Sequence, residues 1–398
     1  MDRDSASVRK QDYRTGTANG ILSALTRARL LLVTAYFRPH VGGIERFVEI
    51  LAGGLANRGH DVTVLCCRTE RESPLREEVN GYRIERVPAS NRPERHLGVP
   101  YPLPQPLKLR RTLERLLSSV DVLHVQDALY ASSIAALMLS HRRGVSSVLT
   151  QHVGFVPQRT RLLDVLEQAA IATLGRSARL ATLVATLNPA ISSWVEARWG
   201  IRDVRVLPVG IPSPANPAHD RGAVRRSFGL SPDRFLALFV GRDVPKKGLD
   251  VFLAAADPSY ELVAVTDRPR DDRATFLAFM SPSRLQELQG CVDAFVLPSE
   301  GEGFPVSLQE ALAIGLPVVT TRQPGYDYYL SADDVLYVER DPEAVRGALR
   351  RLVEGEELRL RLSERSRATA ERHFGMERFI DAYEEVYDEA RGRMTLAR

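Results

Sequence analysis

Apolar positions along this 398-residue chain follow two alternating rhythms. "LLLVTAYF" (Leu30 to Phe37) is a short apolar run, as a strand buried on both faces requires. After "RPHVGG", the residues Ile44, Phe47, Val48, Leu51 and Leu55 repeat with the helical period, and Gly59 is placed to end that helix. "DVTVLCC" reads as the next strand. Strand, tight loop, helix and strand make a βαβ unit, and its crossover implies a parallel sheet. The alternation continues through the strand "VDVLHVQ", a helix from Ala128 to Leu139, and the strands "SSVLTQH", "LATLVAT" and "VRVLPVG".

Four prolines between Pro208 and Pro217 then break the rhythm. Proline fixes φ and cannot donate to a ladder, so this stretch reads as a linker. Beyond it the pattern restarts. The strands "RFLALFVG", "ELVAVT", "ATFLAF", "VDAFVLP" and "PVVTT" are joined by helices that include Leu249 to Ala256 and Pro305 to Ile314. In the tail, Met376, Phe379, Ile380, Tyr383, Val386 and Tyr387 form one apolar helical stripe. The expected fold class is α/β, with two successive doubly wound domains. The expected boundaries are a flexible leader over 1–28, a first domain over 29–212, a second over 213–375 and a C-terminal helix over 376–398.

Composition changes this picture little. Apolar residues are 44% and charged residues 26%, the profile of a folded globular chain. Lys and Arg number 54 against 50 Asp and Glu, and the basic residues are not interleaved with aromatics, which argues against a nucleic-acid partner. The small excess suits an anionic small ligand or a loose contact with an anionic membrane surface. Cys66 and Cys67 are strand neighbours pointing to opposite faces, and with Cys291 they suggest a reducing, cytoplasmic setting. No run of about 18 apolar residues is present, so no spanning helix is expected.

The chemistry concentrates in "PSEGEGFPVSLQEALAIGLPVV". A strand stops at Pro298, and a glycine-broken loop leads into a helix with Pro305 near its first turn. That order leaves the backbone amides of Gly303, Phe304, Val306 and Ser307 at a helix N-terminus beyond a strand's carboxyl end, a geometry suited to anions. Glu302 and Glu310 frame it, and a carboxylate can accept from a ribose diol or a sugar diol. On these grounds alone, an anion site and an ordinary strand-loop-helix with surface acids are equally compatible. "GRDVPKKG" offers Arg242 and Lys247 at another strand end, the fixed cations a diphosphate needs. Gly42 and Gly43 in "PHVGGIERF" allow close backbone approach at a helix start. His152 in "TQHVGFVP" and Asp127 in "HVQD" each lie just past a strand end.

Glu302, "GFPVSLQ" and Glu310 resemble the E-x7-E motif of retaining family 4 glycosyltransferases, and "ALAIGLPVV" is similar to the family's continuation. The Arg after Gly241 and the Lys before Gly248 resemble the family's donor-domain loop. The likeness covers roughly residues 29 to 390. It implies a GT-B fold, in which two Rossmann-like domains face across a cleft and the C-terminal helix crosses back to the first. It also implies that Glu302 faces the transferred sugar and Glu310 the ribose. The backbone from Gly303 to Ser307, including Phe304, Pro305 and Val306, would meet the sugar hydroxyls and phosphates. By the same likeness Gly42 and Gly43 meet the donor phosphates, His152 lies near the forming bond, and Asp127 lies on the acceptor side. There are departures: Val209 stands where members often have Asn, and "VAVTDRPRDDRATFLAF" replaces a glycine-rich turn that helps form the base pocket. The loop from Pro324 to Asp334 also lacks the family's common small-residue pattern.

The implied activity is a retaining hexosyl transfer from a nucleotide-sugar, UDP-sugar favoured over GDP-mannose, to a hydroxyl of a lipid carrier, polysaccharide or small natural product. No cofactor or metal is required by that scheme, and catalysis would fall to Glu302, His152, Arg242 and Lys247. The rival readings are a nucleotide-sugar epimerase, a phosphorylase with a pyridoxal phosphate lysine, or a non-catalytic nucleotide-sugar-binding protein. A dinucleotide oxidoreductase is disfavoured because no G-x-G-x-x-G follows the first strand. "LKLRRTLERLL" is basic and amphipathic, fitting either a packed surface helix or a contact with the inner face of the membrane.

Overall fold

Parallel strands buried on both faces dominate the centre of each half, as the apolar runs require. The computed structural model describes residues 27–97, 101–155, 161–213, 220–268 and 272–396. The expected leader therefore lies, but for its last two residues, outside the described residues, as does the end of the proline-rich stretch from position 214.

The first sheet contains β1 (Arg29–Val33), β2 (Asp61–Arg68), β3 (Arg76–Val79), β4 (Tyr82–Ser90), β5 (Leu103–Pro104), β6 (Val122–Gln126), β7 (Ser146–Gln151), β8 (Leu183–Thr186) and β9 (Val204–Val206). Their order is β3-β4-β2-β1-β6-β7-β8-β9, with β5 also on β4. The pairings of β3 and β5 with β4 are antiparallel and the rest are parallel. Its helices are α1 (Gly43–Asn57), α2 (Arg92–Leu97), α3 (Pro106–Leu116), α4 (Ala131–Arg143), α5 (Arg161–Thr173) and α6 (Pro189–Trp199).

The second sheet runs β12 (Thr275–Leu277), β11 (Glu261–Val265), β10 (Leu236–Val240), β13 (Ala294–Leu297), β14 (Val318–Thr321), β15 (Leu336–Val338), all parallel. It carries α7 (Arg221–Ser227), α8 (Leu249–Ala254), α9 (Pro282–Cys291), α10 (Val306–Ile314), α11 (Pro342–Glu354) and α12 (Glu356–His373), and α13 (Met376–Leu396) follows. In both sheets the strand order reverses beside the first strand, between β1 and β6 and between β10 and β13. Such a switch point opens a crevice at the carboxyl ends of the strands, where ligands of open α/β sheets bind.

Several boundaries differ from the sequence reading. β1 ends at Val33, and Thr34 to Phe37 are buried loop. The helix expected over Ala128 to Leu139 runs instead from Ala131 to Arg143, because Gly144 takes the left-handed conformation that closes it. "VRVLPVG" is a strand only to Val206.

α13 packs against α1, β6 and β7 of the first sheet. Phe379, Ile380, Tyr383 and Tyr387 are buried there. The Tyr387 hydroxyl is 2.9 Å from His124 Nδ1, and the Tyr383 hydroxyl is 3.0 Å from Thr150 Oγ1. Gly54 of α1 makes the approach possible, since a Cβ there would stand 2.3 Å from the Ile380 side chain. No helix among the described residues is long and apolar enough to cross a membrane.

Candidate active site

The loops leaving β1, β6, β7, β10 and β13 carry the sequence-predicted residues, so both switch points contribute to one crevice. After β13, residues 298–305 lead to α10, whose N-cap is Pro305 and which has no side-chain cap. Among the described residues the amides of Gly303, Phe304, Val306 and Ser307 have no protein acceptor. The next amides in the helix, Leu308 and Gln309, turn back to the Pro305 carbonyl. Four free donors at the positive end of a helix dipole favour an anion.

Lys247 Nζ lies 2.9 Å from Glu302 Oε1, with both side chains largely buried. Burial lowers the Lys247 ammonium. Burial also lifts Glu302, but Lys246 and Lys247 outweigh it and hold the carboxyl below its ordinary range. Glu302 is therefore ionised. Two loops are locked together here: the Glu300 amide donates to the Lys246 carbonyl at 2.8 Å. Gly248 is left-handed, and a Cβ on it would stand 2.1 Å from the Pro298 carbonyl oxygen. That clash explains why glycine follows Lys247.

Glu310, 8% exposed, accepts from Arg46 Nε of α1 at 3.1 Å, a contact between the two halves. Burial nonetheless raises its carboxyl, with Arg46 opposing. Arg46 also bonds Glu49 at 3.0 Å. Gly42 is extended and precedes α1, where a Cβ would meet Glu45 Oε2 at 2.3 Å; at Gly43 a Cβ would meet nothing within 4 Å. The helix start at Gly43 is thus open space rather than a tight backbone contact.

Arg242, a third exposed, reaches toward Glu94 of the first half at 3.8 Å. Glu94 belongs to a cluster that the sequence did not announce. His40 Nδ1 sits 2.8 Å from Glu45 Oε1, and Tyr36 donates to Glu94 Oε2 at 2.9 Å. Burial works against the charge on His40, but Glu45 and Glu94 outweigh it and lift the imidazole to about 9. His40 in turn holds Glu94 down at about 2.

His152 and Asp127 come together on the first side of the crevice. Asp127 Oδ1 accepts from the His152 amide at 2.8 Å, and His152 Nε2 lies 2.8 Å from Gln126 Oε1. Both residues are buried. Burial pushes His152 down to about 3, so its ring is neutral, and lifts Asp127 to about 7. Across the crevice, the His152 carbonyl faces Gly303 so closely that a Cβ on Gly303 would be 2.1 Å from it. Asn188, the N-cap of α6, donates to the Gly303 carbonyl at 2.5 Å while its Oδ1 accepts from Ile191. Sequence reasoning passed over Arg46, His40, Glu94 and Asn188. Arg46 and His40 had a usable signal, since both lie inside the glycine motif itself.

Residues 41–213 match the sequence model of Glycosyltransferase Family 4, and residues 220–369 match Glycosyl transferases group 1. The chain belongs to glycosyltransferase family 4. It is a hexosyltransferase of GT-B type. It is 28% identical to the D-inositol 3-phosphate glycosyltransferase of Acidothermus cellulolyticus, over 79% of this chain and 78% of that one. It is also 28% identical to a GDP-mannose-dependent alpha-mannosyltransferase of Mycolicibacterium smegmatis, over 73% and 79%. The fold matches the Anabaena protein HepE in complex with UDP and glucose, with a TM-score of 0.71, 16% identity and coverage of 91% and 100%. Sucrose-phosphate synthase from Thermosynechococcus elongatus gives 0.72, at 20% identity and coverage of 91% and 99%.

Proposed function

We propose that this glycosyltransferase moves a hexose from a UDP-sugar to a hydroxyl acceptor with retention at the anomeric carbon and without a metal. The observation that carries the proposal is the buried Lys247–Glu302 pair at the mouth of four unpartnered amides, opposite His152. In this reading Arg242, Lys247 and the amides of Gly303 to Ser307 take the charge that builds on the departing diphosphate, where preorganised donors help most. Glu302 accepts from the sugar hydroxyls. Glu310 accepts from the ribose once Arg46 yields it, and Gly42 and Gly43 leave room for the phosphates.

The acceptor oxygen bonds to the anomeric carbon on the face from which the diphosphate leaves. The bond between that carbon and the phosphate oxygen breaks, and the acceptor proton passes to a phosphate oxygen. A neutral His152 is no general acid; it positions the Glu302 loop through its carbonyl. The acceptor side is assigned to Asp127 and to a cavity of about 860 Å³ lined by Arg71, Asn91, Arg92 and Gln105, in which Asn91 donates to Glu94. A cytoplasmic location with peripheral contact at the inner membrane face belongs to the same reading.

Calorimetric titration with UDP, GDP, ADP and their sugars tests it. UDP and a UDP-sugar are expected to bind, and GDP-mannose binding alone would reassign the donor. Charge-assisted bonds contribute about 1.5–3 kcal/mol each, so Arg242→Ala is expected to slow transfer about tenfold or more. Binding of none of these nucleotides would overturn the reading.

A further inference from the structure

Exposed large apolar side chains are not spread evenly over the molecule. Leu103, Leu107, Met138, Val165, Leu166 and Leu174 all lie on β5, α3, α4, α5 and the turn after α5. These elements are contiguous: α4 packs between α3 and the turn over Leu174–Leu180, which also meets α5. They cover the face of the first sheet opposite α1 and α13. Leu107 is 72% exposed and Leu103 54%. Between α3 and α4 runs an apolar groove of about 390 Å³, floored by Leu109, Leu113, Ala135 and Met138.

The charge on this face is as uneven as the apolar surface. Residues 103–116, 131–143 and 161–180 hold nine Lys and Arg against three Asp and Glu, an excess of six on a chain whose whole excess is four. Arg110 is answered by Glu114 at 2.9 Å. Lys108, Arg111 and Arg142 are exposed and form no ion pair among the described residues. Cations ringing exposed leucines fit one kind of partner better than others, a surface that is apolar within and anionic at its edge.

We infer that the α3–α4 face docks on an anionic lipid bilayer, with Leu103, Leu107 and Met138 entering the headgroup region and Lys108, Arg111 and Arg142 meeting the lipid phosphates. The groove shares Pro104 and Pro106 with the larger cavity beside Asn91, so a docked bilayer lies next to the acceptor side of the crevice. This deepens the peripheral contact proposed above by naming its surface. The test below uses neither donor nor acceptor, so its failure leaves the transfer reading standing.

The experiment is co-sedimentation of the full chain with phosphatidylcholine vesicles, with and without phosphatidylglycerol, across a salt series. Binding is expected only with phosphatidylglycerol and should fall as salt rises. Each basic residue near an anionic surface is worth about fivefold in binding, so Lys108→Gln, Arg111→Gln and Arg142→Gln together should weaken it about a hundredfold. Leu103→Ser with Leu107→Ser should abolish the binding that survives at high salt. Arg226→Gln, on the second half, should change nothing. An unchanged melting temperature and an unchanged far-ultraviolet circular dichroism spectrum in each variant would confirm folding. The proposal falls if phosphatidylglycerol vesicles do not bind, or if Arg226→Gln weakens binding as much as the face variants. It also falls if the chain dimerises in sedimentation and the face variants abolish the dimer while vesicle binding is unchanged.

Discussion

Asp127 keeps its carboxyl where ionisation is costly. It is buried, and burial lifts it to about 7 against an ordinary value of 3.8, with the His152 amide and Lys246 opposing. A raised carboxyl leaves stability untouched below pH 4, erodes it as pH rises toward 7, and leaves the loss constant above that. Asp127→Asn keeps an oxygen for the His152 amide and removes the charge. Its stability relative to the parent should therefore climb between about pH 4 and 7 and then level off, read as denaturant midpoints across that range. A flat difference would show that Asp127 is solvated. At the Lys247–Glu302 pair, Glu302→Gln leaves a buried ammonium uncompensated and should cost about 3–5 kcal/mol, as breaking buried pairs generally does. Adding Lys247→Met should restore much of the stability while transfer stays lost. Recovery of transfer in the double variant would make the pair structural. The positions of Glu302, Glu310, Arg242 and Lys247 were legible because each belongs to a short motif that joins an apolar run to a helix. Arg46, His40, Glu94 and Asn188 were not, because each gains its meaning from a partner 5 to 264 positions away that only the fold supplies.

At the scale of elements, the close approach at Gly303 sets how two loops meet. A methyl group there would stand 2.1 Å from the His152 carbonyl, a backbone atom with little freedom to yield. Gly303→Ala should push the α10 loop off the first half and break the Asn188 bond to the Gly303 carbonyl. The expected result is a donor KM raised about tenfold or more with little change in melting temperature, because both cores stay intact. An unchanged KM would mean that the crevice opens at this point when donor binds. The central strands were readable as apolar runs because parallel sheets bury both faces. β3 was not, because "REEV" is a polar edge with exposed and half-buried positions alternating. α12 was passed over for a similar reason: it is a charged surface helix that buries only Leu362, Ser366, Thr369 and Ala370. α11 does carry the helical period in Val345, Leu349 and Leu352 and was readable from it. A polar edge strand satisfies its backbone without an apolar signal in the sequence.

For the whole molecule, α13 is the element without which the first half is incomplete. Phe379, Ile380, Tyr383, Val386 and Tyr387 are all under 5% exposed. Phe47 of α1 meets Phe379 and Tyr383 edge-on with ring centroids 5.7 and 5.8 Å apart. Burying each such side chain is worth about 1.5–3 kcal/mol. Five of them contribute about as much as the whole stability of a typical domain, about 5–15 kcal/mol. At the rim, Arg58 reaches Glu377, Asp381 and Glu384, but exposed pairs of this kind add little. The apolar stripe therefore decides. A chain ending at Gly375 should fail to fold its first half, seen as early proteolysis of residues in α1, β6 and β7 and loss of a cooperative melt. Tyr383→Ala, which also strips the hydroxyl from Thr150, should cost about 3–5 kcal/mol. Arg58→Ala should cost under about 1 kcal/mol. If the truncated chain melts cooperatively at the parent's temperature, the first sheet carries its own core and α13 only decorates it. If it does not, the second half holds the first together through a helix that begins where its own domain ends, and opening of the crevice must bend the chain near Gly375 rather than free α13 from the first sheet.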